Sequence, residues 1–107
     1  MIDSSFFNTE KGGNFIVDIY DKKGNIKKSL LYQGFDKRFL YHETFFNKHK
    51  VTKTITRNEN EQIKTVAYMK ENGHTNYEEE FDSAGKLTRR RYWDDYGKLT
   101  RTENFKQ

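Results

Sequence analysis

The sequence predicts an all-β protein. We expect a single antiparallel meander of eight or nine short strands over residues 1–107, curled into a half-open sheet or closed into a small up-and-down barrel. Three observations predict it. Runs rich in Thr, Val, Ile, Tyr and Phe recur about every twelve residues, separated by short stretches of Gly, Asn and Asp, which is the spacing of consecutive strands and tight turns. A phrase of aromatic, Asp, any, any, Gly, Lys or Asn, aliphatic stands at residues 20–26, 81–87 and 93–99. No apolar stripe with a 3.6-residue period reaches helical length.

Composition agrees. Charged residues make up 34% of the chain and the hydrophobic set 33%, too little apolar material for a thick, dry core. Aromatics reach 16%, and each ring can bury roughly 150–250 Å² while a neighbouring polar group stays wet, which suits a thin sheet. The same aromatic content argues against disorder. With 107 residues and no proline or low-complexity linker, one domain is expected.

Taken in order, the first segment, MIDSSFF, is the one stretch compatible with a short turn of helix. Strands are then expected at 14–20, 25–32, 38–46, 50–57, 62–69, 74–81, 86–93 and 98–105. The connections between them carry the register. In Asp-x-x-Gly the Asp side chain accepts hydrogen bonds from the turn backbone and Gly takes the left-handed conformation, giving a type I turn with a glycine bulge. Asp21 then faces Asn25, and Tyr20 faces Ile26, Phe81 faces Leu87 and Trp93 faces Leu99. Glu71–His74 contains Asn-Gly, read as a two-residue turn that sets Tyr68 opposite Tyr77. The stretch RNENEQ is also read as a turn, with its register open.

Extending this register by strict alternation gives one face with the rows Phe81, Leu87, Phe105; Glu79, Arg89, Glu103; Tyr77, Arg91, Arg101; and Thr75, Trp93, Leu99. The opposite face, holding Glu78, Glu80, Arg90 and Tyr92, is expected to be polar and solvated. In the first hairpin the same scheme pairs Asp18 with Lys28 and Ile16 with Leu30.

YDKKGNI, FDSAGKL and WDDYGKL resemble the YD repeats of bacterial Rhs-type shells, and YMKENGHT resembles the MORN-like repeats of YwqK-type antitoxins. The resemblance implies a meander sheet used as a shell or as a neutralising binder. A shell needs more repeats than 107 residues hold, so the binder is the expectation carried forward.

Chemistry-bearing patterns are scarce. The chain has no cysteine, which excludes disulfides, thiolate metal sites and cysteine nucleophiles. His42, His49 and His74 have no second ligand at a familiar spacing, so no metal and no cofactor are expected. Glu78, Glu79 and Glu80 on a strand point alternately to opposite faces, which breaks up an acid/base pair. The serines lie in no nucleophile-elbow setting, and EKGGNF lacks the ending of a phosphate loop. The chain is therefore read as no enzyme. No signal peptide or apolar stretch of roughly 18 residues is seen, so a cytoplasmic protein without membrane contact is expected.

The best candidate surface is aromatic and basic: Tyr77, Arg91, Tyr92, Trp93, Tyr96 and Arg101. Trp, Tyr and Arg carry much of the binding energy at protein interfaces. With a net charge of +4, the expected partner is a protein with an acidic surface, such as a toxin or nuclease, blocked sterically by an immunity protein, antitoxin or phage-borne inhibitor. Nucleic acid is the alternative partner, and a lipocalin-like small-ligand carrier is a third reading.

Overall fold

A computed structural model describes residues 2–6 (backbone only), 14–34 and 37–105. The strands are β1 (Ile2–Phe6), β2 (Phe15–Tyr20), β3 (Ile26–Gln33), β4 (Phe39–Asn47), β5 (Lys50–Arg57), β6 (Ile63–Met69), β7 (Thr75–Phe81), β8 (Leu87–Trp93) and β9 (Leu99–Asn104). They form one antiparallel sheet in chain order, each strand hydrogen-bonded to the next.

Two expectations are corrected at the ends of this sheet. Residues 2–6 are a strand and not a helical turn, with Ile2 opposite Ile19 and Phe6 opposite Phe15. The free edge of β2 offers this segment backbone partners, whereas five residues are too few to sustain a helix. The barrel is also excluded, because β1 and β9 neither pair nor touch. The long dimension of 38 Å equals eight interstrand steps of about 4.8 Å, so the strands are laid out side by side. An open sheet encloses no interior, which removes the lipocalin-like reading.

The sheet is a single layer. Among the described residues only Ile55, Val66 and Glu43 are buried, and all three lie on the central strands. The accessible surface is 7709 Å², against roughly 6,300 Å² for a compact chain of 12.9 kDa. Stability therefore rests on cross-strand pairs rather than on a core.

Five of the turns follow one scheme. At the Asp-x-x-Gly turns the Gly N–H donates to the Asp carbonyl and the Asp N–H to the residue after Gly: Gly24 to Asp21, Gly85 to Asp82 and Gly97 to Asp94, at 3.0–3.2 Å. Each Asp carboxylate accepts two backbone N–H groups, as at Asp94 from Tyr96 and Lys98. The connection at Lys70–His74 has this same wider form, with Gly73 N–H on the Lys70 carbonyl, and is not the two-residue turn expected. Tyr68 does face Tyr77. RNENEQ forms it too, with Asn58 in the Asp role and Glu61 at φ 62° in the glycine position. The β4–β5 connection is shorter, with Lys48 and His49 both left-handed between Asn47 and Lys50.

The first pair beside each turn is as expected: Tyr20 with Ile26, Phe81 with Leu87, Trp93 with Leu99. Beyond it the register shifts by one. Ile19 faces Lys28, Glu80 faces Arg89 and Tyr92 faces Arg101, so Lys27, Thr88 and Thr100 stand opposite no residue of the preceding strand. A second bulge thus follows the glycine bulge, and strict alternation missed it. At three strands the extra residue is a threonine whose hydroxyl donates to the facing carbonyl: Thr52 to Phe45, Thr88 to Glu80 and Thr100 to Tyr92.

Two expected outcomes test this turn scheme. An added Cβ at Gly85 meets nothing within 4 Å, so Gly85→Ala costs only the left-handed backbone, about 1–2 kcal/mol by chemical denaturation. Asp94 is held below its ordinary pKa of 3.8, chiefly by the Lys98 and Tyr96 N–H groups. A depressed carboxylate stabilises fully above its unfolded pKa and loses that contribution as pH falls through the lower folded value. The melting-temperature gap between wild type and Asp94→Asn is therefore constant from neutral pH down to about pH 5, then shrinks below about pH 4.

Candidate binding surfaces

Residues two apart on a strand share a face, and the bulged register sorts them into continuous rows. One face carries Lys28, Phe45, Lys53, Tyr68, Tyr77, Tyr92 and Arg101, each directly opposite the next across β3 to β9. Cations alternate with rings at both ends of this ladder. Lys28 and Lys53 lie over Phe45 at 4.9 and 4.5 Å, and Arg101 lies over Tyr92 at 4.1 Å. In the middle Tyr68 stacks on Tyr77 at 4.6 Å, and Tyr77 meets Tyr92 at 5.8 Å.

The adjacent row on this face runs Leu30, Glu43, Ile55, Val66, Glu79, Arg90, Glu103. Glu43, 4% exposed, is clasped by Lys28 at 2.9 Å and by Arg57, whose Nε and Nη2 donate at 2.9 and 2.7 Å. Burial raises the Glu43 carboxyl, and the hydrogen bonds from Lys28 and Arg57 outweigh it, leaving the group below its ordinary value. Arg90 donates to Glu79 at 2.8 Å and lies 3.6 Å from Glu103, which accepts from the Tyr92 hydroxyl at 2.6 Å. That hydroxyl is the main reason the Glu103 carboxyl lies below its usual range. Burial and the neighbouring Glu79 raise the Tyr68 phenol. The Tyr68 phenol therefore stays neutral and acts as a ring and a hydrogen-bond group.

The opposite face is a second charge ladder. Arg89 forms a two-pronged bond to Glu80 at 2.7 and 2.8 Å, Arg91 pairs with Glu78, and Arg91 lies over Trp93 at 5.7 Å. The Arg91 Nε is shielded without a hydrogen-bond partner among the described residues. Between the charged strands this face presents Ser29, Thr44, Thr54 and Ala67 in one row. His42 Nδ1 lies 3.0 Å from Thr56 Oγ1, and burial lowers its pKa.

The six residues singled out from the sequence are thus divided. Tyr77, Tyr92 and Arg101 join the aromatic ladder, Arg91 and Trp93 lie on the opposite face, and Tyr96 stands 91% exposed at the tip of the β8–β9 turn. Arg91 faces Glu78 and Thr102, not Tyr77 and Arg101, so the expected like-charge contact does not exist. Arg89 likewise meets Glu80 rather than Glu79 and Glu103. Phe105 donates its N–H to the Thr88 carbonyl instead of lining up with Leu87. The second bulge explains every one of these shifts.

Phe45, Lys53 and Tyr68 were missed. A 24-residue period, two strands long, finds two of them: Lys53 falls on it with Tyr77 and Arg101, and Tyr68 with Tyr92, whereas Phe45 has no such counterpart. Among the described residues no group of three metal-ligating side chains converges, and no helix is long and apolar enough to cross a membrane.

No family model matches the chain, and no curated protein matches it. Solved structures do share the fold. The crystal structure of TarM matches with a TM-score of 0.61 at 16% identity, covering 92% of this chain and 19% of that one. The S. aureus TarM G117R mutant in complex with Fondaparinux, alpha-GlcNAc-glycerol and UDP matches with a TM-score of 0.51 at 13% identity, covering 83% and 19%. The chain thus spans about a fifth of the proteins it resembles, and the likeness is one of sheet architecture.

Glu43→Ala is expected to strand two half-buried cations and to destabilise the sheet by about 3 kcal/mol in urea unfolding. An exposed pair such as Lys50 with Glu71 is expected to contribute less than about 1 kcal/mol.

Proposed function

We propose that the chain is a non-enzymatic binding sheet that attaches to an acidic surface of another protein through its aromatic–cation ladder and blocks that surface sterically. The observation that carries this reading is the ladder itself. Phe45, Lys53, Tyr68, Tyr77, Tyr92 and Arg101 form a continuous strip across six strands, with no second layer of the described chain over it. Rings held by stacking lose little entropy on binding, and Tyr and Arg are the side chains that dominate protein interfaces. Lys53 touches no carboxylate among the described residues, and Arg101 lies only loosely against Glu103 at 3.7 Å, so both remain available to an acidic partner.

The resemblance of YMKENGHT to the MORN-like repeats of antitoxins supports the same reading. A nuclease or toxin encoded beside this protein is the natural partner to test, in the cytoplasm. A nucleic-acid module is the second reading, favoured by the same cations and rings.

The test is calorimetric titration of the neighbouring gene's product with wild type and with Tyr77→Ala and Lys53→Glu. The protein-binding reading expects at least about tenfold weaker binding for each variant with unchanged circular dichroism. Equal affinity of wild type and both variants would remove the ladder from the interface. Binding to a single-stranded oligonucleotide that falls steeply between 50 and 200 mM salt, with no protein binding, would transfer the ladder to nucleic acid.

A further inference from the structure

β9 ends the sheet, and no described residue covers its outer edge. Edge strands offer free N–H and C=O groups to other chains, and proteins usually blunt them with proline, lysine or a covering segment. β9, with sequence LTRTEN, has neither proline nor lysine, and the charges of Arg101 and Glu103 cancel. The two large hydrophobic side chains most exposed among the described residues, Tyr96 and Leu99, belong to the hairpin that ends at this edge.

The direction of the free backbone groups follows from one hydrogen bond. Phe105 N–H donates to the Thr88 carbonyl at 2.9 Å, and in an antiparallel ladder residues two apart point their N–H and C=O the same way. Glu103 and Arg101 therefore bond toward β8, while Thr102 and Asn104 aim theirs outward.

We infer that this edge pairs antiparallel with β9 of a second copy, about a two-fold axis through Thr102, to make one continuous sheet. In that register Thr102 exchanges both backbone hydrogen bonds with its counterpart. Arg101 of each copy stands opposite Glu103 of the other, and both lie on the ladder face. These two positions form a non-hydrogen-bonded pair, where side chains approach most closely. Each charge is ready for the contact. Arg101 is 63% and Glu103 39% exposed, and Glu103 receives its contacts from Tyr92, Arg90 and Arg101 on Oε1, which leaves Oε2 open among the described residues.

The pairing also continues an existing order. The row Glu79, Arg90, Glu103 alternates in sign, and Arg101 of the second copy supplies the next positive charge. A head-to-tail alternative, β9 against β1, fails on this count because Ile2–Phe6 (IDSSF) contains no cation, and such a contact would not close. A two-fold contact is self-complementary and stops at two copies.

The experiment is sedimentation equilibrium on the full chain from 1 to 500 µM (roughly the range of weak to moderate dimers), at low and high salt. Wild type is expected to run as a dimer at the upper concentrations and to dissociate as salt rises. Thr102→Pro removes only an outward N–H, which an edge strand tolerates, so it is expected to keep its circular dichroism and melting temperature while dimerising at least about tenfold more weakly. Arg101→Glu and Glu103→Arg place like charges opposite each other in their own dimers but opposite charges in a mixture. Each alone is expected to be monomeric, and the equimolar mixture dimeric. Wild type remaining monomeric throughout, Thr102→Pro dimerising like wild type, or a mixture no more associated than its parts would each overturn the inference.

Discussion

The structure depends on one irregularity repeated at each hairpin from β2–β3 to β8–β9: a residue, one or two past the first cross-strand pair, that stands opposite nothing. Without it Glu80 would not reach Arg89, and Arg91 would confront Arg101. With it, each strand is shifted by one against its neighbour beyond the turn, and that shift brings Tyr92 onto the same face as Tyr77. The turn fixes where the shift occurs. A left-handed residue recurs at His49, Glu61, Gly73, Gly85 and Gly97, at a constant interval of twelve. Because Asp or Asn ties down the turn backbone at four of these hairpins or their equivalents, including Asp21, the bulge has a rigid origin from which to count.

A single layer of this kind lacks the usual source of stability. Two small apolar side chains, Ile55 and Val66, are the buried hydrophobic residues among those described. What replaces a core is lateral: rings stacked on rings, cations laid over rings, and carboxylates clasped between guanidinium groups, each pair contributing about 0.2–1 kcal/mol. Glu43 is the exception in scale. It sits in the same row as Ile55 and Val66, so the most sheltered position on the ladder face is occupied by an ion with two counter-ions rather than by hydrocarbon.

Most of the strand plan was legible because the alternation of β-formers with Asp-x-x-Gly is a local signal. Strands from 14 to 105 lie within two residues of the expected positions, and the three aromatic-on-aliphatic pairs are in place. The faces were not legible from the turns alone, since one extra residue per hairpin inverts every side chain beyond it. The threonines Thr52, Thr88 and Thr100 mark the bulge, but a threonine in a strand is ordinary and gains meaning only when its hydroxyl is seen on the facing carbonyl. The opening segment misled for another reason: nothing in five residues tells a strand from a turn, and only the edge of β2 decides. The candidate site was half legible, with Tyr77, Tyr92 and Arg101 brought together and Arg91 and Trp93 sent to the other side.

Successive turns lie at opposite ends of the sheet, and their apolar pairs lie on opposite faces: Phe81 with Leu87 on the ladder face, Trp93 with Leu99 on the other. Each strand is thus related to the next by an operation that exchanges both ends and both sides. Lengthening or shortening the chain by one twelve-residue unit would turn everything downstream inside out, whereas a change of two units leaves the pattern whole. The inheritable module of this protein is the hairpin pair, and its size tolerates growth only in even steps.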